Sequence, residues 1–310
     1  MKPAFIITID TEPDNQWIPG ASITCNNLRF IPRFQNLAET YGFKPVWLTE
    51  YNVACDKWFV EYISSKLIIG TCEIGIHPHA WTTPPIFPLT ENDQIYKPYM
   101  TDYPVEVIEQ KISIHSSLLK SQFGTVLSHR SGRWAMNQAY AQILIKNGIR
   151  YDCTINPGIV IPPSSSIFSE NSCDYTKFKH EVIDLGEYYC LDKSKLYEIP
   201  YTVLVNHKLQ NNKTIPHFVK KRLFPIRYLR PDGTNLKSLL YIVKKAKREK
   251  WPYLQFMLHS SELMPGCNPT FKTPDSIEKL YKDLEILFRV ASKSFSGQTL
   301  TEFMKYRTSV

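Results

Sequence analysis

Asp10, Glu12 and Asp14 put three carboxylates within five residues, just where the β-branched and aromatic run Phe5-Ile6-Ile7-Thr8-Ile9 ends. In extended chain alternate side chains share a face, so Asp10 and Glu12 point one way and Thr11 the other. The same alternation applies to His77 and His79, which flank Pro78 after the run Glu73-Ile74-Gly75-Ile76. Two imidazoles on one side of a strand end can share one ion. Joined by a carboxylate from the first segment, they make a two-histidine, one-carboxylate set with open positions for water, able to generate hydroxide near neutral pH. Arg130 lies in Ser128-His129-Arg130-Ser131-Gly132-Arg133-Trp134, where a guanidinium can hold a carboxylate ionised through a bidentate contact. His259 follows the apolar Phe256-Met257-Leu258, and its near-neutral titration suits protonation of a leaving amine. Glu262, three residues on, is placed either to orient His259 or to cap the next turn. Taken singly, each fragment also fits a structural role: a helix cap, a surface ion pair, a satisfied histidine at a strand end.

These residues need strands to carry them. Strand-like runs fall at Phe5–Ile9, Lys44–Leu48, Cys72–Ile76, Thr125–His129, Arg150–Ile155, Leu196–Val203 and Leu254–Leu258. Helical periodicities lie between most of them, at Leu28–Tyr41, Lys57–Ser65, Val105–Lys120, Met136–Asn147, Asn235–Glu249 and Pro274–Ala291. Alternation of strand and helix predicts parallel pairing with crossover helices, as an open doubly wound sheet or a closed barrel. The candidate residues sit at the C-terminal ends of these strands, where parallel α/β folds build their sites. The polar, proline-rich segments Pro78–Pro104 and Asn156–Cys190 read as loops over that site.

Composition removes several classes. At 43% hydrophobic and 21% charged, the chain is an ordinary globular one. It has only 12 glycines and no G-x-G-x-x-G or G-x-x-x-x-G-K-[ST] motif, which argues against dinucleotide and P-loop sites. Seven cysteines, an odd number without C-x-x-C, suggest neither a disulfide framework nor a cysteine zinc site. With no signal pattern and no apolar run of about 18 residues, a cytoplasmic location is expected. Charge is concentrated rather than spread: from His207 to Lys250 there are 13 Lys and Arg against Asp232 and Glu249, a surplus of 11 where the whole chain carries +8. Helix Asn235–Glu249 accounts for part of it as a solvated face. Within 217–230, Lys220, Lys221, Arg222, Arg227 and Arg230 interleave with Phe218, Leu223 and Phe224, a pattern suited to an anionic ligand or membrane surface as well as to a charged loop.

Taken together the fragments resemble the polysaccharide deacetylase family, the NodB-homology or carbohydrate esterase 4 group. The resemblance runs from Asp10 to His259 through four motifs in the family's order: Ile7-Thr8-Ile9-Asp10, Glu73-Ile74-Gly75-Ile76-His77, His129-Arg130-Ser131-Gly132-Arg133 and Leu258-His259. The H-x-H, R-x-G-R and H-S-S-E forms are closest to a subset found in surface-polysaccharide gene clusters. The resemblance implies an α/β fold, a distorted (β/α)7 barrel, as one catalytic domain over 1–310. It also implies a divalent metal, usually Zn2+, and hydrolysis of an acetyl group on a sugar. Asp10 would then be the base, Arg130 its partner and His259 the acid. Two positions depart from the pattern: Thr11 stands where a second aspartate usually binds metal, and Trp81 where the second metal histidine usually lies. The expected metal set is therefore His77, His79 and Glu12, with Asp14 the alternative carboxylate. Trp81, Trp134 and Arg133 are the expected substrate contacts.

The expected activity is removal of an acetyl group, N-acetyl first, from a sugar or glycan precursor. Nucleotide- and polyprenyl-phosphate-linked forms are included, with peripheral contact to an anionic membrane through 217–230 and no nucleic-acid partner. Two other readings stay open: a barrel that has lost catalysis and binds a glycan or partner, and a hydrolase of a small cyclic amide or ureide.

Overall fold

A computed structural model describes residues 2–161, 173–191, 195–205 and 225–308. Along the chain come strands β1 (Ala4–Thr11), β2 (Pro45–Thr49), β3 (Glu73–Ile76), β4 (Ser128–His129), β5 (Tyr151–Asp152), β6 (Val160–Ile161) and β7 (Cys173–Asp174). They are followed by β8 (Ile183–Asp184), β9 (Tyr197–Glu198), β10 (Val203–Leu204), β11 (Arg227–Tyr228), β12 (Tyr253–His259) and β13 (Ser296–Gly297). The main sheet runs β12-β1-β2-β3-β4-β5-β9-β8, parallel throughout except for β8 against β9. It curls into the expected distorted barrel.

β1 is buried along its whole length, as a central parallel strand covered on both faces must be. Its alternation sorts the core into two. Phe5, Ile7 and Ile9 join Phe34, Trp47, Phe256 and Phe288 in the layer between sheet and helices. Ala4 and Ile6 face inward with Val46, Leu48, Cys153, Ile199 and Tyr253, and Leu300, Phe303 and Met304 of helix Leu300–Thr308 pack on the same cluster. Continued upward, this inward face delivers Thr8, Asp10 and Glu12 to the C-terminal mouth. Register keeps that mouth level: Asp10 pairs with His259 on β12, Ile76 with His129, and His129 with Asp152.

Closure between β12 and the chain after β9 is made largely by side chains. Tyr253 Oη donates to Pro200 O at 3.0 Å, and Gln255 N donates to Thr202 Oγ1 at 2.8 Å. Leu229 then wedges into the seam, its N–H donating to Thr202 O and its carbonyl accepting from Met257 N.

Two expectations need correction, and two elements add to those expected. Leu196–Val203 is not one strand: Pro200, which has no N–H for a ladder, separates β9 from β10, and β10 leaves the barrel to pair antiparallel with β11. The segment Asn156–Cys190 is not wholly loop, because it holds the antiparallel pair β6–β7, edge strand β8 and the short helix Leu185–Tyr188. Pieces of two to four residues are too short to print a periodicity. The last strand and helix, β13 and Leu300–Thr308, are additional elements; β13 pairs with Ala4 and Phe5, below the point where β2 begins at Ile7.

Candidate active site

The site grows from Arg130, a fully buried guanidinium whose three nitrogens each have a partner. Nη1 donates to Asp10 Oδ1 at 2.6 Å, Nη2 to Thr8 Oγ1 at 2.8 Å, and Nε to Cys153 O at 3.0 Å. Asp10 is thus gripped through one oxygen, while Oδ2 lies 3.9 Å from both His77 Nε2 and His259 Nε2. Burial pushes the Asp10 carboxyl up, but Arg130, His77 and His259 outweigh it and hold the group below its ordinary range.

Glu12 faces the two histidines of the H-x-H segment. Its Oε1 lies 3.0 Å from His77 Nε2 and 3.1 Å from His79 Nε2, and all three side chains are buried. Burial alone would raise its pKa, yet the histidines around it carry the carboxyl well below the usual carboxylate range. Its backbone is pinned by the neighbouring strand end and the loop after β1: Glu12 N donates to Ser260 Oγ at 2.9 Å, and Asn27 Nδ2 donates to Glu12 O at 2.8 Å.

The two imidazoles are fixed by different means. His77 Nδ1 lies 2.8 Å from the Arg130 carbonyl, which can only accept, so the proton sits on Nδ1 and Nε2 turns to the site. Burial lowers the basicity of His77, but Asp10 and Glu12 lift it above its ordinary value; at His79 burial prevails and the pKa falls. His79 is held by packing. Trp81 stacks on it at 4.5 Å and 23°, and Gly132 lies so close that a Cβ there would come within 2.1 Å of His79 Cδ2. The glycine of the R-x-G-R segment is therefore required by the ring opposite.

A cation fits this donor set. With its proton on Nδ1, His77 turns a lone pair at Nε2 toward a carboxylate oxygen 3.0 Å away, which calls for a second proton or a metal between them. Glu12, His77 and His79 present ligand atoms within 4.8 Å of one another, the mixed nitrogen and oxygen set of a catalytic zinc site. Asp14, the alternative carboxylate, is committed elsewhere. It accepts from Asn27 N, Asn26 N and Thr24 Oγ1 at 2.7, 2.9 and 2.8 Å and ties down the loop after β1.

His259 stands across from Asp10. Its Nδ1 is 3.3 Å from Glu262 Oε2, which also accepts from His259 N at 2.8 Å, so Glu262 both orients the ring and closes the turn. Burial would raise the Glu262 pKa, but Arg230 at 2.9 Å and His259 pull it down to about 2. Trp17 Nε1 donates to Ser261 Oγ at 3.1 Å and sets its ring edge-on to His259 at 5.1 Å. Each residue of His259-Ser260-Ser261-Glu262 therefore holds part of the site. Sequence reasoning missed Thr8, Trp17, Asn27, Ser260 and Ser261; only the position of the serines beside His259 hinted at them.

A cavity of about 330 Å³ opens over these groups, lined by Asp10, Glu12, His77, His79 and His259 together with Trp81, Arg133 and Trp134. All three expected substrate contacts thus face it, with Arg133 set over the Trp81 ring at 5.4 Å. The basic segment fares differently. Arg227 donates to Ser238 Oγ and lies over the Tyr241 ring, and Arg230 is paired with Glu262. Phe218, Lys220, Lys221, Arg222, Leu223 and Phe224 lie outside the described residues.

No protein-family model and no curated protein sequence matches the chain. Solved structures do match in fold. A protein described as a polysaccharide deacetylase from Mycobacterium smegmatis superposes with a TM-score of 0.55 at 12% identity, over 100% of this chain and 94% of that one. A GH57 branching enzyme from Thermococcus kodakaraensis gives 0.57 at 10% identity, over 98% and 71%. A 4-alpha-glucanotransferase from Thermococcus litoralis gives 0.56 at 12%, with 98% of this chain spanning only 40% of that enzyme. The chain thus has the distorted (β/α)7 barrel of carbohydrate-active enzymes, polysaccharide deacetylases among them.

Proposed function

We propose that the chain is a metal-dependent deacetylase of the polysaccharide deacetylase family, a single catalytic domain that removes an acetyl group, N-acetyl first, from a sugar or glycan in surface-polysaccharide synthesis. The observation that carries this reading is the placing of Asp10 Oδ2 and His259 Nε2, 3.9 Å apart, beside the Glu12, His77 and His79 cluster in one open cavity. The same barrel also serves glycoside-processing enzymes, and the site chemistry favours the deacetylase reading. Glycoside cleavage ordinarily needs one carboxyl kept protonated as acid. Here Asp10, Glu12 and the nearby Glu262 are all held below their ordinary values, which supports an imidazole rather than a carboxyl as the proton donor.

Glu12, His77 and His79 are the residues that would hold the ion, Zn2+ by the chemistry of the set. A bound Zn2+ supplies Lewis-acid polarisation and a water acidified toward neutrality. Asp10, its Oδ1 occupied by Arg130, takes the attacking water's proton at Oδ2. His259, held through Nδ1 by Glu262, delivers a proton from Nε2 to the departing amine. Trp81, Arg133 and Trp134 wall the acyl-sugar pocket.

A cytoplasmic setting is part of the proposal. It rests on seven free cysteines, which suit a reducing compartment, and no helix among the described residues is long and apolar enough to cross a membrane. A phosphate-linked carrier or an anionic membrane stays in the proposal through Lys220, Lys221 and Arg222 alone, since Arg227 and Arg230 are engaged within the chain. Acetate release from a panel of acetylated glycans, with added Zn2+ or Co2+ and with chelator, tests the function. Release that chelator abolishes and metal restores is the expected result; a purified protein that neither binds metal nor releases acetate from any member overturns it.

A further inference from the structure

Glu12 belongs to a second group of ligating side chains. Asp10, Glu12 and His259 also present ligand atoms that all lie within 4.8 Å of one another, and all three residues are buried. The two groups have only Glu12 in common. Asp10 Oδ2 and His259 Nε2 stand 3.9 Å apart, too far for a hydrogen bond, and both residues line the cavity over the site. Arg130 holds Oδ1 of Asp10, while Oδ2, on a side chain only 2% exposed, has no hydrogen-bond partner among the described residues.

His259 is prepared for an ion in the way metal-bound imidazoles commonly are. Glu262 Oε2, an acceptor 3.3 Å from Nδ1, keeps a proton on that nitrogen, so the neutral ring turns its Nε2 lone pair toward Asp10. One imidazole and two carboxylates suit a borderline divalent ion such as Zn2+; Mg2+ prefers oxygen ligands and water. Paired ions in hydrolases sit about 3.5–4 Å apart, and the two oxygens of Glu12 allow one carboxylate to serve both.

The two groups differ in strength. The set with His77 and His79 has two imidazoles, whereas at the other Arg130 already holds Asp10 at 2.6 Å and repels a cation, as does an ion bound first. We infer that Asp10, Glu12 and His259 form a second, weaker metal site, and that an ion bound there inhibits the chain. Such an ion occupies the Oδ2 lone pair that Asp10 needs as base and the Nε2 position from which His259 delivers its proton. The rate then passes through a maximum as free metal rises. That loss of rate, though not the site itself, rests on the deacetylase reading above.

Equilibrium dialysis of the chelator-treated full chain against rising Zn2+ counts the ions. Wild type should take up one tightly and a second at higher concentration. Asp10→Asn and His259→Ala should each lose the weaker ion and keep the tighter, whereas Glu12→Gln should lose both. Ions on surface groups or free cysteines are common to all four proteins and drop out of the differences. Because Asp10 and His259 lie on opposite sides of the site, a variant that fails to fold leaves the other to decide. Uptake of a single ion by wild type at every concentration, or retention of the second ion in either folded variant, overturns the site. Acetate release from the glycan panel should peak with the first ion and fall about tenfold or more as the second binds; Mg2+ at the same concentration should cause no fall. A rate that stays at its peak with two ions bound overturns the inhibition. Two ions with the expected variant pattern, but no acetate from any glycan at any metal concentration, would support the site and sink the deacetylase reading.

Discussion

Asp10 divides two duties between its oxygens: Oδ1 is spent on Arg130, and Oδ2 faces the histidines. An amide is no base and a far weaker metal ligand than a carboxylate, so rate and metal content measured together separate the roles. Asp10→Asn and His259→Ala are each expected to retain bound metal and lose about 10²-fold or more in kcat. Metal content measured beside the rate decides the assignment, and an Asp10→Asn protein that comes out metal-free makes Asp10 a ligand. Glu262 gives a second prediction at this scale. Its pKa is about 2 in the folded chain against an ordinary 4.5, so its pairing with Arg230 and His259 stabilises the fold above pH 4.5. That contribution drains away as pH falls toward 2. In acid titrations followed by circular dichroism, Glu262→Gln should be less stable than wild type at neutral pH, with the difference shrinking below pH 4.5. A gap that stays constant down to pH 2 removes the linkage.

At the scale of elements, strand parity explains most of what could be read in advance. The alternation that sends Phe5, Ile7 and Ile9 to the helices and Asp10 and Glu12 to the mouth is visible in the residues themselves, as is the H-x-H pair. The choice between Glu12 and Asp14 could also be posed from sequence, but its answer lay in three loop donors at residues 24 to 27. The closure of the barrel could not be read at all. It depends on Thr202, whose hydroxyl stands in for a backbone acceptor opposite Gln255 N and also lies 2.8 Å from His180 Nε2. A side chain replacing a ladder bond leaves no periodic trace. Thr202→Val keeps the shape and removes both bonds, leaving a buried N–H without a partner. It should cost about 1–3 kcal/mol in urea unfolding. A midpoint equal to wild type would mean that the seam between β12 and the chain after β9 does not depend on this hydroxyl.

At the scale of the whole molecule, the proposed ion ties together elements that are not neighbours in sequence. Glu12 leaves β1, His77 and His79 follow β3, and the backbone of Glu12 is held by Ser260 after β12. The unfolded chain has no such cluster, so metal affinity adds directly to folding stability. At a hundredfold excess of free metal over its Kd the linkage amounts to about 2.7 kcal/mol, and for a chain of this size that is a rise of several degrees in melting temperature, of order 2–4 °C per kcal/mol. Zn2+ should therefore raise the melting temperature of chelator-treated wild-type protein. His77→Ala and His79→Ala should each lose most of that rise together with the activity, because one of three protein ligands is gone. Asp10→Asn should keep the rise while losing turnover, which separates the metal from the proton chemistry in a single set of melts. If His79→Ala alone keeps both the thermal response and the rate, His79 belongs to the wall of the pocket with Trp81 rather than to the ion. A wild-type melt indifferent to Zn2+ and chelator alike would leave the three donors without an ion and take metal-dependent hydrolysis down with it.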